Sequence, residues 1–225
     1  MLKRFTYSLK IDDDDKYKLL DYYVSHSIFT PSAKCVVLTD KPVKKEQKIT
    51  LSIGYETPFK VFQGTIYKVE KLQDKYKIYA DSIYHLRKGE KTLSLKDVNP
   101  KDILNHIGIK KIIYTQKNLI EKHHFPILQM TPLQIIKQII KVWNLKDFVY
   151  FLDLEGALHF HRKDEHFKKV VKTEQIITQD TQNTLIMPLF TEIFINQILQ
   201  TKENQYKVLS LTHTKGKTYL EIENV

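Results

Sequence analysis

The chain has 225 residues, 42% of them hydrophobic, with thirteen Tyr and eleven Phe; that is enough to bury a core in one large or two modest domains, and it excludes a disordered chain. A formal charge of +10 invites a polyanion, but only three of the 36 basic residues are arginines (Arg4, Arg87 and Arg162) and the lysines are scattered, which reads as a solvated surface rather than a sequence-specific nucleic-acid reader. The single cysteine, Cys35, excludes an internal disulfide and a thiolate-cluster metal site, and it lies in an apolar run where a buried thiol is expected; no run approaches the ~18 apolar residues of a membrane span and no apolar leader is seen, so no membrane insertion is expected.

In chain order, residues 3–11 alternate, with Phe5, Tyr7, Leu9 and Ile11 on one face, and predict a first strand. Asp12-Asp13-Asp14-Asp15-Lys16 lacks the glycine and distal glutamate of a calcium loop and reads as an exposed acidic turn. Residues 18–28 fit either a strand or a short helix. Thr30-Pro31-Ser32 reads as a turn, residues 33–38 as a buried strand, and residues 40–48 as a lysine-rich loop.

Residues 49–86 hold three strand-length runs. Ile49, Leu51 and Ile53 alternate with Thr50, Ser52 and Gly54; a turn bracketed by Gly54 and Pro58 leads to residues 59–70; Gln73-Asp74-Lys75 turns into residues 76–81. Gly64, inside the middle run, suggests a bulge or a bend. The reading is an antiparallel meander, bent as though closing on itself. Arg87-Lys88-Gly89-Glu90 ends this unit.

Asn99 followed by Pro100, with Gly108 beyond, predicts a short helix whose inner side carries Ile103, Leu104 and Ile107. Thr131-Pro132 starts a longer helix by the same logic, with Leu133, Ile136, Ile140 and Trp143 at helical spacing and an apolar arc wide enough to be covered on much of its circumference, or to meet another subunit. Residues 148–153 and 154–160 read as two strands joined by a tight turn at Asp153 to Gly156. Beyond residue 170 the chain is strand-rich again: Val170-Val171, residues 175–178, 185–187 and 193–199. A closing hairpin follows, with residues 206–213 and 219–223 joined at Lys215-Gly216-Lys217.

Three patterns in this order resemble one family. Gly54-Tyr55, Val61-Phe62-Gln63-Gly64-Thr65-Ile66 and the run to Asp81 form the first. The second is the helix followed by an aromatic strand, Asp153-x-x-Gly156 and Leu158-x-Phe160. The third is Tyr206-x-Val208 through His213, a turn and an alternating strand. Together they resemble the phage tail baseplate hub proteins, the late control protein D family, related to the base of the type VI secretion spike. The resemblance implies an α+β fold with two small antiparallel β-barrel, tail-tube-like domains joined by a helical segment. The expected units are residues 1–92, a connecting region 93–168, and 169–225 packed with 145–168. It also implies a homotrimeric ring adapting the tail tube to the spike, located in the tail baseplate of a virion, or in the host cytoplasm before assembly. The expected contact surfaces are the edge strands of the meander and the helix at 132–143. Many members of the family are longer.

The histidines carry little chemistry. His159 and His161 share a strand face with His166 nearby, but zinc needs three or four convergent ligands; His123-His124 sits in an expected loop, and His213 ends a strand with no motif for a triad partner. There is no Gly-x-x-x-x-Gly-Lys, Gly-x-Gly-x-x-Gly, His-Glu-x-x-His or Gly-x-Ser-x-Gly. No enzyme activity, catalytic residue, metal or cofactor is therefore expected. DNA is expected at most as passing cargo. A lysine-rich β-barrel that stacks single-stranded bases on aromatics is the alternative from another class.

Overall fold

Period-2 alternation dominates the sequence, and strands dominate the fold. The chain is described here from a computed structural model that covers residues 4–114, 119–163, 165, 169–175 and 177–225. Six strands build the N-terminal part: β1 (Phe5–Ile11), β2 (Leu19–Ser27), β3 (Thr30–Thr39), β4 (Lys48–Tyr55), β5 (Phe59–Leu72) and β6 (Lys75–Asp81). They pair antiparallel in the order β1-β4-β5-β6-β3-β2. Leu9, Ile11, Ile49, Leu51, Ile53, Phe62, Ile66 and Ile78 project inward and meet Val24, Cys35 and Val37 in one core.

The bend expected at Gly64 is made by its neighbours. The β4–β5 register slips between Leu51 and Ser52, leaving Val61 unmatched, and the β5–β6 register slips between Ile66 and Lys68, leaving Tyr67 unmatched. Gly64 itself permits a close approach: a Cβ there would lie 2.7 Å from the Asp81 carbonyl oxygen and 2.7 Å from Phe62 Cζ. Gly64→Ala is expected to destabilise the protein by about 2 kcal/mol. A thermal melt checks this; an unchanged midpoint would mean that β6 moves aside freely.

The six strands curl until Phe5 of β1 stacks on Tyr22 of β2, ring centroids 6.0 Å apart, but the sheet does not close. The far edge of β2 pairs with β16 (Gln205–Thr214), so Val24 faces His213 and Ser27 faces Ser210. From there the sheet runs on to β17 (Lys217–Asn224), β14 (Thr184–Pro188) and β13 (Thr178–Thr181). β15 (Ile198–Gln200) joins the free half of β16, and β12 (Val170–Lys172) joins β15 in parallel. Twelve strands thus form one open sheet, and no sheet among the described residues closes into a barrel. The expected barrel closure fails at β2, whose one edge is held by β3 and whose other edge is taken over residues 23–27 by β16.

Several local expectations shift. Residues 18–28 resolve to strand. The turn expected at Thr30-Pro31-Ser32 lies instead at Ile28 and Phe29. Ile28 is held there because its N–H donates to Leu209 O at 2.9 Å and its side chain is buried in the C-terminal core. Pro31 then falls at the register slip between β2 and β3, where a missing N–H is tolerated. The strand expected over 193–199 shortens to β15 because Asn196 takes a left-handed φ of 63° and donates its N–H to Val208 O at 2.7 Å. Of the strand expected at 175–178, Ile176 lies outside the described residues.

The connecting region holds β7 (Lys91–Val98), α1 (Pro100–His106), β8 (Ile112–Tyr114), β9 (Lys122–Met130), α2 (Pro132–Val142), β10 (Phe148–Leu152) and β11 (Leu158–Arg162). Both helices start as their sequences suggest. Asp102 N–H donates to Asn99 Oδ1 (3.1 Å) and Asn99 N–H to Asp102 Oδ2 (3.3 Å); Gln134 and Thr131 repeat this reciprocal cap. α1 buries Ile103 and Leu104, with Ile107 just beyond it. α2 buries Ile135, Ile136 and Ile139, while Leu133, Ile140 and Trp143 are only partly covered. β7 and β9 form a two-stranded ribbon, so His123 and His124 lie on a strand rather than in a loop. Asp81 anchors the entry to this region: its carboxylate accepts from Arg87 at 3.0 Å and from Ile83 N–H at 2.9 Å.

Candidate assembly surface

Alternation along β1 sends Phe5, Tyr7, Leu9 and Ile11 to one face, yet only Leu9 and Ile11 are buried; Phe5 is 37% and Tyr7 39% exposed. The row runs past the end of the core. Phe5 pairs with Tyr55, the last residue of β4, and the two rings meet edge to face at 6.3 Å. Tyr22 completes the group beneath Phe5, and its hydroxyl accepts the Gly216 N–H at 3.1 Å. The β16–β17 turn is thereby tied to the end of the curled sheet. Burial raises the Tyr22 phenol above its usual range.

Phe5, Tyr7 and Tyr55 make an aromatic rim at the β1 edge of the long sheet over buried Tyr22, and Phe59, exposed at the start of β5, continues the Tyr7–Ile53 row two strands in from that edge. β1 is an end strand of that sheet, whereas the outer strands of the meander at residues 49–86, the expected contact edges, are covered: β4 pairs with β1 and β6 with β3. Alternation places Phe5 and Tyr7 on one face with Leu9 and Ile11, but it does not record that this face emerges from the core. Their place at the end of an alternating row, beside terminal Tyr55, is the signal that marks them. The other expected contact surface differs: the apolar arc of α2 is used inside the molecule, and its exposed positions include Gln134, Lys137 and Lys141.

Four of the eight described histidines, His26, His159, His161 and His213, sit inside. β10 and β11 form a partition, with Leu152, Leu158 and Phe160 facing the helical core and Phe151 facing the C-terminal core. His159 and His161 lie on the Phe151 side: His159 stacks on that ring at 4.8 Å and His161 meets its edge at 5.9 Å. His159 Nε2 is 3.0 Å from Asp153 Oδ2. Partial burial works to raise the Asp153 pKa, but this contact and the Ala157 and Glu155 N–H groups outweigh it and hold the carboxyl below its usual range. His161 Nδ1 donates to Arg162 O at 2.8 Å, and Asn196 Nδ2 lies 3.3 Å from His161 Nε2. His166 lies outside the described residues. Among those described, no three His, Cys, Asp or Glu side chains gather into a metal-binding group.

His26 and His213 flank the seam between the N- and C-terminal strands. His26 Nε2 donates to Val61 O at 2.8 Å, and its ring meets the edge of Phe194 at 4.9 Å. His213 Nδ1 lies 3.0 Å from Thr218 Oγ1. Burial drives His26 down to about 4 and His213 to about 3, each from an ordinary 6.5. Cys35 is buried, and burial pushes its thiol pKa up.

No family model and no curated protein matches the chain by sequence. Solved structures match it by fold. The 43 kDa tail protein of prophage MuSo2 from Shewanella oneidensis superposes with a TM-score of 0.71 at 11% identity, over 97% of this chain and 96% of that one. A tail protein from Neisseria meningitidis MC58 gives 0.66 at 10% identity, over 98% and 96%. The lidded PdpA–VgrG complex of Francisella gives 0.58 at 10% identity; 97% of this chain matches 52% of that one. The resemblance drawn from the three sequence patterns therefore holds at the level of fold: this chain has the mostly antiparallel β architecture of phage tail proteins and of a chain in a VgrG complex.

Proposed function

We propose that this chain is a structural, non-catalytic component of a phage tail or a related injection machine. More specifically, it is a baseplate hub subunit that forms a trimeric ring between tail tube and spike. The observation that carries the reading is the end-to-end likeness to two tail proteins, each matched over 96% of its length. Three hydrophobic cores follow a division into units near 1–92, 93–168 and 169–225 in their main parts, although Ile83 and Leu86 belong to the middle core, Ile28 and Phe151 to the C-terminal one and Leu189 to the N-terminal one. The two curved strand groups act as barrel-like halves in that ring, a role supported by the contact of Phe5 with Tyr22 across the ends of the N-terminal group.

The aromatic rim is the subunit contact in this reading. Ring contacts between identical chains are heterologous and closed by rotation, and exposed aromatics on a sheet edge suit such an interface. The partners are the tail tube and the spike, and the place of action is the virion baseplate after assembly in the host cytoplasm. Native mass spectrometry across a concentration series, with and without the spike, tests this. A trimer is expected, weakened at least tenfold by Tyr7→Asp with Phe59→Asp while the monomer still melts cooperatively. A trimer indifferent to both substitutions would move the interface elsewhere, and no trimer under either condition would remove the ring.

A further inference from the structure

Two clefts adjoin between the N-terminal sheet and the connecting region. One, about 430 Å³, lies among Lys88, Gly89, Lys91, Gly108, Lys110 and Lys111. The other, about 620 Å³, is reached past Lys10 and Lys48. They share His85, Leu152 and Gly156, so the two lie side by side and together form a trough around these residues. We propose that this trough binds the phosphodiester backbone of single-stranded nucleic acid, without reading its sequence.

The charge is concentrated there. Six lysines line the trough against two carboxylates, Asp13 and Asp153, and Asp153 is engaged by His159. Lys88 pairs with Glu46. Lys10, Lys48, Lys91, Lys110 and Lys111 have no ion pair among the described residues. Lys48 also helps to hold the His85 pKa down, after burial, the larger cause.

The walls are built for close approach. Gly89, Gly108 and Gly156 all line the narrower cleft, all at left-handed φ (74°, 92° and 74°), and nothing lies within 4 Å of where a Cβ would stand. Three chain turns thus meet with no side chain between ligand and backbone, while lysines flank two of them. Volumes of this order suit a few ligand units. Lysine is a point charge for phosphate rather than a fork for a base edge. Neither cleft is lined by a Phe, Tyr or Trp ring, and His85 is the one imidazole among the lining residues, so contact is chiefly to the backbone rather than by base stacking. An evenly charged polymer engages lysines spread along a trough in a way that a peptide of irregular charge does not.

The test is fluorescence anisotropy of a labelled mixed-sequence 20-nucleotide DNA strand, titrated with the full chain at rising salt. Lys91→Gln, Lys110→Gln and Lys111→Gln are combined in one variant. A control of equal charge change combines Lys71→Gln, Lys75→Gln and Lys137→Gln, all at exposed positions outside the trough. The trough variant is expected to bind about tenfold more weakly near 50 mM salt, with a log–log salt slope shallower by about 2, and the control to bind as the parent does. Equal weakening of both variants would reduce the effect to diffuse surface charge and overturn the site. No binding by the parent near 50 mM salt, or displacement of the strand by polyglutamate at equal charge concentration, would overturn the phosphate assignment. None of these outcomes depends on whether the chain forms a ring.

Discussion

Ile66→Asp is expected to leave no folded N-terminal sheet. Ile66 is fully buried in β5. Its backbone is held by the segment before β4: its N–H donates to Gln47 O at 2.9 Å, and its carbonyl accepts from Glu46 N–H at 2.7 Å, while Ala80 of β6 lies opposite it on the other side. The side chain therefore cannot swing out without breaking the strand. An aspartate at this position either stays ionised without a partner or takes up a proton at neutral pH, and it also forfeits the transfer energy of the isoleucine. Together these cost roughly 5 kcal/mol or more, comparable with the whole stability of a typical domain. Insoluble expression, or a chain lacking a cooperative melt, is expected, whereas Ile66→Val should cost only about 1 kcal/mol. A soluble Ile66→Asp protein melting within about 5 °C of the parent would show that this side chain does not face the core.

Mild acid is expected to open the seam between β2 and β16. In the folded chain His26 and His213 stay neutral down to about 4 and about 3. Unfolded, both would titrate near 6.5. As pH falls below 6.5 the unfolded state binds the extra protons, so stability is fully present above that value and is lost progressively toward pH 4. Each histidine contributes about 1.4 kcal/mol per pH unit in that window, hence about 2 kcal/mol each by pH 5. His85 and His161, both lowered chiefly by burial, add in the same direction. Urea midpoints at pH 7, 6 and 5 should fall steadily. The combination of His26→Gln and His213→Gln should flatten most of that slope, whatever its effect on stability at pH 7. Midpoints constant from pH 7 to 5 would contradict the burial of these rings.

Local features were the legible ones. Ile49, Leu51 and Ile53 announced β4 by alternation, and Asn99-Pro100 and Thr131-Pro132 announced their helices, because a cap and a pleat are decided by residues a few positions apart. What joins distant segments was not legible. The β2–β16 pairing sets Ser25 opposite Thr212, across most of the chain, and no local period records it. The turn at Ile28 was hidden for the same reason, since the bond to Leu209 O that holds it comes from the far end of the sequence. β7 and β9 were missed because Pro126 and the paired histidines resemble a loop, although a two-stranded ribbon tolerates proline on its edge. The aromatic rim was half legible: its residue types and spacing could be read, but where the core ends along β1 could not.

Imaging of the chain co-expressed with tail-tube and spike proteins tests the proposed structural role most directly. Single-particle class averages should show a threefold ring of this protein seated between tube and spike. A protein that stays out of the assembled particle, or that joins it as a lone copy with no ring, would contradict that role.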